Sequence, residues 1–466
     1  MNTVLIGVFI YIFAQLLIGV VASRRIKNEA DYLLAGRSFG YGLASFSIFA
    51  TWFGAETVVG SAGKMYEEGL SGAAADPFGY ALCLILVGLF FAVPLWRRGL
   101  TTLADLFHSR YSPGVERLAV LMMAPTSVMW AAAQIRAFGQ VISASSELGF
   151  LVATAIAAAV VVVYTVYGGL RADAWTDVIQ GIALMAGLVI ILVVFVDHLG
   201  GVSATLASIP PEKLNLFDGW QRDPLAVMEK WAIPIVGSLV AQELVARIIA
   251  SRSPQIARRA PLIASGFYLT FGLIPVVIGL AATSGLTGVE DSDQVLPLIA
   301  QQHLPTFLYI LFAGALISAI LSTVDSALLA ASSLVSHNLI LPLRPGMSEA
   351  AKVRTARVGV VVFAVIAYVL AIYGGSVYEL VSDASAFGGA GLFIIIVFGL
   401  FTSFGGARSA YAALIAGMAV WVYGNYIGDF SYAFLASLAA ALLSYVLVAV
   451  LAPRHSSKLD AVEEIG

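Results

Sequence analysis

Ala319, Ser322, Thr323 and Ser326 stand at i, i+3, i+4 and i+7 of the apolar run 305–336, which places them in one stripe of one helix face. Two hydroxyls there point together. Sodium is a hard cation that prefers oxygen, and carbonyls, hydroxyls and carboxylates serve it as they serve calcium. The plainer reading is that such hydroxyls bond back to the i−4 carbonyl or glue helices together. A second set of residues is ionisable and lies at membrane depth: Glu56, Asp76, Arg136, Asp177, Glu243, Arg247, Asp325 and Asp383. A charge in a span is costly and marks function by default. Arg136 falls midway along the segment 117–146, and its fork suits a carboxylate. Either it holds an anionic or zwitterionic solute while Glu56, Asp76 or Asp383 takes an ammonium group, or it forms an internal salt bridge with one of those acids. Arg247 follows Glu243 by four residues, so an i, i+4 pair or a gate contact is expected rather than substrate binding. Trp130, Phe138 and the other aromatics read as packing or lipid-facing residues.

These side chains need a membrane scaffold. Of the 466 residues 60% are hydrophobic and 11% charged, against about 25% charged in globular chains. That excludes a soluble enzyme. The net charge of −3 without a basic tail argues against nucleic acid, and the single cysteine, Cys83, excludes a disulfide framework. His108, His198, His303, His337 and His455 lack ligand spacing, and no Gly-rich phosphate loop follows a strand, so neither a metal centre nor nucleotide-driven pumping is expected. Met1–Ala22 reads as a retained span rather than a signal peptide.

The chain is expected to be all-α and multi-pass, with about 13 transmembrane helices at 2–22, 41–63, 72–96, 117–146, 151–168, 175–197, 231–250, 262–284, 305–336, 353–373, 377–401, 409–427 and 431–452. With the N-terminus outside, 19 of the 25 Lys and Arg fall in inside loops and the tail, 4 in outside loops, and 2 within spans. The C-terminus is then cytoplasmic. No stretch is long enough to bury a core of its own, so 1–466 reads as one transporter domain in the lipid bilayer.

Two spans look interrupted. Trp52-Phe53-Gly54-Ala55-Glu56 puts Gly and a carboxylate inside 41–63, and Pro234 with Gly237-Ser238 precedes Gln242-Glu243 inside 231–250. Broken helices at this depth expose backbone groups that ligand, ion or water must satisfy. The five-span offset between them fits two inverted repeats, 41–197 and 231–401, forming a core 41–401. The remainder is an extra N-terminal helix 2–22, two C-terminal helices in 409–452 and a tail 453–466.

The chain resembles the sodium:solute symporter family, relatives of the sodium-coupled proline, pantothenate, sialic acid and sugar transporters. The resemblance rests on Phe49-Ala50-Thr51-Trp52-Phe53-Gly54-Ala55-Glu56 with Gly60 and Gly63, Thr102-Leu103-Ala104-Asp105-Leu106 with Arg110-Tyr111, Gly168-Gly169, Trp175-Thr176-Asp177, Gln242-Glu243 with Arg247, and Ala319 to Ser326. It implies a LeuT-like five-plus-five inverted-repeat core, alternating access in the cell (inner) membrane, and Na+ as coupling ion with no other cofactor. It implies a sodium site of Ala50, Phe53, Ala319, Ser322 and Thr323, and a second one at Asp177, Ser322, Asp325 and Ser326. By the same analogy Trp52, Glu56, Thr57, Asp76, Gln134, Arg136, Gln242, Ser382, Asp383 and Phe387 face a small-molecule substrate. Trp52 and Ala241 stand where the family's sugar carriers use amides, and Trp52 replaces a carboxylate of proline carriers. The expectation is a sodium-coupled symporter of a small organic solute, carboxylate or amino-acid-like rather than a sugar. A transporter-like sensor of a solute and a proton-coupled carrier using Asp177 and Asp325 remain the alternatives.

Overall fold

The computed structural model describes residues 28–144, 146, 148–283, 286, 289, 292–428 and 430–452, together with Phe13. The expected span 2–22, Phe13 apart, and the tail 453–466 lie outside the described residues. Those described form helices and connecting turns, with no β-strand among them. A short α1 (Glu29–Leu34) leads to α2 (Tyr41–Trp52) and α3 (Ser61–Glu68), which are the halves of the first interrupted span. Then come α4 (Tyr80–Leu86) and α5 (Ala92–Arg97), the loop helix α6 (Ala104–Arg110), α7 (Pro113–Ala144) and α8 (Phe150–His198). The second half holds α9 (Val202–Ser208), α10 (Pro224–Val236), α11 (Gln242–Ile249), α12 (Pro254–Ala282), α13 (Val295–His303) and α14 (Thr306–Val335). It closes with α15 (Glu349–Tyr373), α16 (Val377–Ala386), α17 (Gly389–Phe401), α18 (Ala407–Tyr426) and α19 (Ala433–Leu451).

Caps written in the sequence start several of these. Asp223 accepts from Ala226 N, Ser253 from Ile256 N and Ser348 from Ala351 N, while Ser376 and Glu379 form a reciprocal capping box. Each satisfies a backbone donor that a helix start leaves orphaned.

Both expected interruptions are present. α2 stops at Phe53 (φ −86°, ψ 67°) and the helix resumes through a wide turn at Glu56–Gly60. α10 runs through a tight turn into Ala241 (φ −63°, ψ 120°), where the path to α11 bends by 47°. Two more breaks went unforeseen: Asp76 (φ −131°, ψ 120°) ahead of Pro77, and a 41° bend at Phe387-Gly388 between α16 and α17. Among the described residues helix makes up most of each expected span from 41 onward, but 151–168 and 175–197 form one run turned at Gly169 (φ 59°, ψ 169°), a conformation open essentially to glycine alone. Among the described residues seven helices are long and apolar enough to span, or nine counting each bent pair as one, so thirteen is not reached.

Burial separates two kinds of apolar helix. Every residue of α14 from Phe312 to Leu334 is buried, because it packs on α7, α8, α2 and α15 at the centre of the bundle. By contrast α15 exposes Val358, Val362, Val365 and Val369, the lipid-facing pattern.

Candidate functional site

The break after α2 lies against the hydroxyl stripe of α14. Ser322 Oγ lies 2.8 Å from the Ala50 carbonyl and 2.9 Å from that of Ala319, and Thr323 Oγ1 donates to Ala319 O at 3.1 Å. The stripe thus makes local bonds and also reaches another helix. Ala50 belongs to the last turn before the break, where helix carbonyls lose their intrahelical partners. A Cβ on Gly54 would come within 2.6 Å of Glu56 Oε2, 2.8 Å of Thr323 Oγ1 and 2.9 Å of Gln134 Oε1. Polar atoms from three helices therefore crowd a point that only glycine leaves open. Phe53 turns its ring onto Phe49 and Tyr268, with centroids at 4.9 and 5.2 Å.

Glu56 and Asp76 are both about 1% exposed and line one cavity of about 140 Å³. Glu56 accepts from Trp130 Nε1 at 3.1 Å and from Gln134 Nε2 at 2.7 Å, while Gln134 Oε1 takes the Ala55 N–H released by the break, at 2.9 Å. Asp76 Oδ2 accepts from Thr57 at 2.6 Å and from Tyr268 at 3.0 Å, and its buried Oδ1 has no partner among the described residues. Tyr80, Tyr378 and Ser382 complete the inner wall. Behind Tyr80 stand Trp52 and Trp130, at 5.7 and 6.5 Å between ring centroids. The one basic residue of the lining, Lys230, pairs with Glu68 at 2.9 Å on the rim. The Tyr378 ring already carries the ammonium of Lys64 at 5.0 Å from its centroid.

A second buried cluster surrounds Arg247. Its Nη2 is 2.6 Å from Asp173 Oδ2, 3.2 Å from Asp177 Oδ2 and 2.6 Å from Ser326 Oγ. Its Nε donates to Ser47 at 2.8 Å and its Nη1 to the Glu243 carbonyl at 3.1 Å. Asp325 is buried beside this cluster, its Oδ1 accepting from Ser326 N at 2.8 Å. The guanidinium thus sits among Asp177, Ser326 and Asp173 oxygens, the neighbourhood in which the sequence suggested a second sodium. Asp177 is wholly buried. Arg247 meets the backbone carbonyl of Glu243 rather than its carboxylate, since its fork is directed across to α8.

Other expected residues go elsewhere. Arg136 is half-buried and lines a different cavity of about 400 Å³ with Phe150, Asp293 and Gln301. Its Nη1 donates to Ala371 O at 3.0 Å and its guanidinium lies 5.1 Å from the Phe150 ring centroid. Gln242 accepts from Leu103 N at 2.8 Å, tying α11 to the loop before α6. Asp383 is exposed, and Phe387 packs edge-on to Trp421 at 5.6 Å. The structure therefore joins Trp52, Glu56, Thr57, Asp76, Gln134 and Ser382, and leaves Arg136, Gln242, Asp383 and Phe387 apart from them. Asp173, Tyr80, Tyr268 and Tyr378 were not singled out by sequence, and Trp130, read as packing or lipid-facing, packs on Trp52 and also donates to Glu56. The one available signal for Asp173 was a carboxylate one helical turn before Asp177.

A bundle of paired broken helices around a buried polar centre has the LeuT-like fold of membrane transporters. The substrate-bound outward-open state of a Na+-coupled sialic acid symporter has the same fold, with TM-score 0.85 at 21% identity over 96% of this chain and 98% of that one. MhsT in complex with L-phenylalanine shares it with TM-score 0.58 at 14% identity, over 89% of this chain and 98% of that one. The profile of the sodium:solute symporter family matches residues 32–417. The chain belongs to that family, and is by class a sodium-coupled symporter of the membrane. The human high affinity choline transporter 1 is 28% identical over 400 residues, 81% of this chain and 69% of that protein. The high-affinity proline transporter PutP of Bacillus subtilis (strain 168) is 26% identical over 460 residues, 94% and 96% of the two.

Proposed function

We propose that the protein carries a small organic cation, with an ammonium or quaternary ammonium head, coupled to sodium. The observation that carries this reading is the cavity lining: Glu56 and Asp76 buried beside the Tyr80 and Tyr378 rings, with its one basic residue already paired. Carboxylates supply charge and ring faces supply the quadrupole that attracts alkylated ammonium groups. A carboxylate solute would meet two buried acids and no free cation, because Arg136 opens on the other cavity. The expectation of a carboxylate or amino-acid-like solute thus loses the counter-ion for its carboxylate, and the choline carriers among the relatives agree with a cationic solute.

In this reading the coupling ion takes the Ala50, Phe53 and Ala319 carbonyls with the Ser322 and Thr323 hydroxyls. Arg247 serves as the resident cation of the Asp173, Asp177 and Asp325 cluster, so one sodium moves per cycle. Ion and solute share the broken α2–α3 segment, so occupancy of one biases the conformation that binds the other. The segments 41–197 and 231–401 act as the two repeats, with the N-terminus outside and the C-terminus cytoplasmic.

The test is uptake into proteoliposomes of radiolabelled choline as the probe, under a sodium gradient or a proton gradient alone. Tetramethylammonium should compete, whereas succinate, proline and glucose should not, and only the sodium gradient should drive accumulation. Competition by succinate or proline without any effect of tetramethylammonium would overturn the substrate class. Binding without accumulation would favour a sensor.

A further inference from the structure

α14 and α15 pack closely where Ser332 meets the other helix. Ser332 Oγ donates to Ala356 O at 2.5 Å, and a Cβ on Gly359 would lie 2.6 Å from that hydroxyl. Small residues hold the two backbones together here. Alongside this crossing, and on toward the loop that joins the helices, a groove of about 660 Å³ lies between them. Val335 and Leu343 form one wall, Val358 and Val362 the other, and Leu343, Val358 and Val362 are 72%, 55% and 49% exposed, so the groove opens sideways to lipid. From Ser332 to Leu343 a helix advances about 16 Å, close to the roughly 15 Å hydrocarbon depth of one leaflet.

The mouth is basic. Arg344 and Arg354 both line it, no carboxylate does, and neither arginine has an ion-pair partner among the described residues. The neighbouring Lys352 is neutralised by Glu349 at 2.7 Å, which leaves the two arginines as the local excess of charge.

We propose that this groove is a binding site for one anionic glycerophospholipid, an acyl chain filling the wedge and the phosphate held between Arg344 and Arg354. Two guanidinium forks at the end of an apolar slot of leaflet depth match a charged head on a hydrocarbon chain, and basic pockets between helices on the cytoplasmic side recognise such heads. Placing it in the cytoplasmic leaflet rests on the orientation proposed above. The lipid would brace α14, the helix that carries Ser322 and Thr323, against α15.

Native mass spectrometry and thermal unfolding of the full chain in detergent test this, with phosphatidylglycerol, phosphatidylcholine and inorganic phosphate as probes. Wild type should retain one phosphatidylglycerol and gain thermal stability from it, and from neither of the other two. At about fivefold per arginine near an anionic surface, R344Q/R354Q should bind phosphatidylglycerol about 25-fold more weakly. V358W keeps both arginines and fills the slot, and should also lose the lipid. Equal phosphatidylglycerol retention in wild type and R344Q/R354Q would overturn the site, and stabilisation by inorganic phosphate as large as by the lipid would make it a phosphate site instead. Full retention by V358W would remove the acyl slot.

Discussion

Replacing Arg247 with Met removes the one guanidinium from a cluster holding Asp173, Asp177 and Asp325, all at most 2% exposed. Four of its contacts, to Asp173, Ser326, Ser47 and the Glu243 carbonyl, lie at 2.6–3.1 Å, and Asp177 at 3.2 Å is a fifth. Each hydrogen bond to a charged group contributes about 1.5–3 kcal/mol singly, but bonds that share one donor group do not add. The relevant magnitude is the loss of one partner from a buried ion pair, about 3–5 kcal/mol, because carboxylates are then left without a counter-charge. R247M should therefore lose about that much in SDS-induced unfolding in mixed micelles. R247M/D173N should recover part of it, since one uncompensated acid has gone, with a coupling between the sites of at least about 1 kcal/mol. If R247M unfolds within about 1 kcal/mol of wild type, or the two changes add without coupling, the charge-balance reasoning fails. The same variant tests the ion count. With the resident cation removed, Asp177 and Ser326 are free to take sodium, so the Hill coefficient for sodium-driven uptake should rise above the value near one expected of wild type.

S322A/T323A removes both hydroxyls beside the Ala50 and Ala319 carbonyls and should raise the sodium concentration for half-maximal uptake at least tenfold; unchanged sodium dependence would refute the ion assignment. G54A forces a methyl within 2.6–2.9 Å of Glu56, Thr323 and Gln134 oxygens, and should abolish uptake while the protein still purifies as a folded species; near-wild-type uptake would show that the crowded point plays no part in transport. Y378L removes a ring face beside the acids, so the half-saturating concentration of choline should rise about 2- to 30-fold, the range of a cation–π contact of about 0.5–2 kcal/mol; an unchanged value would take the ring out of the site. R136Q should leave that concentration within about twofold of wild type, because Arg136 lines the other cavity, and a tenfold change would return it to the substrate.

The two interrupted helices and the hydroxyl stripe were legible because they are local signals. Gly54 with Glu56, Gly237 with Pro234, and the i, i+3, i+4 spacing of Ala319, Ser322 and Thr323 each lie within a few turns of chain. The break at Asp76 was missed although Pro77 follows it, since proline is common in membrane helices. For Trp130 the sequence left packing and lipid-facing both open, because an indole in an apolar helix looks the same whether it meets lipid or a carboxylate from another span.

Composition and hydropathy by themselves determined that this is a multi-span membrane protein, where its apolar segments run, and which few ionisable residues lie at depth, because the cost of polar groups in a bilayer acts residue by residue. Pairing among those residues was decided only by tertiary structure. Arg247 reaches Asp173 across 74 residues and Ser47 across 200, and Glu56 reaches Trp130 across 74. No spacing along one helix encodes such distances. The arginine that looked ready for a substrate lies on another cavity, and the one that looked like a gate holds the buried acids, because helix packing rather than sequence separation sets which charge faces which.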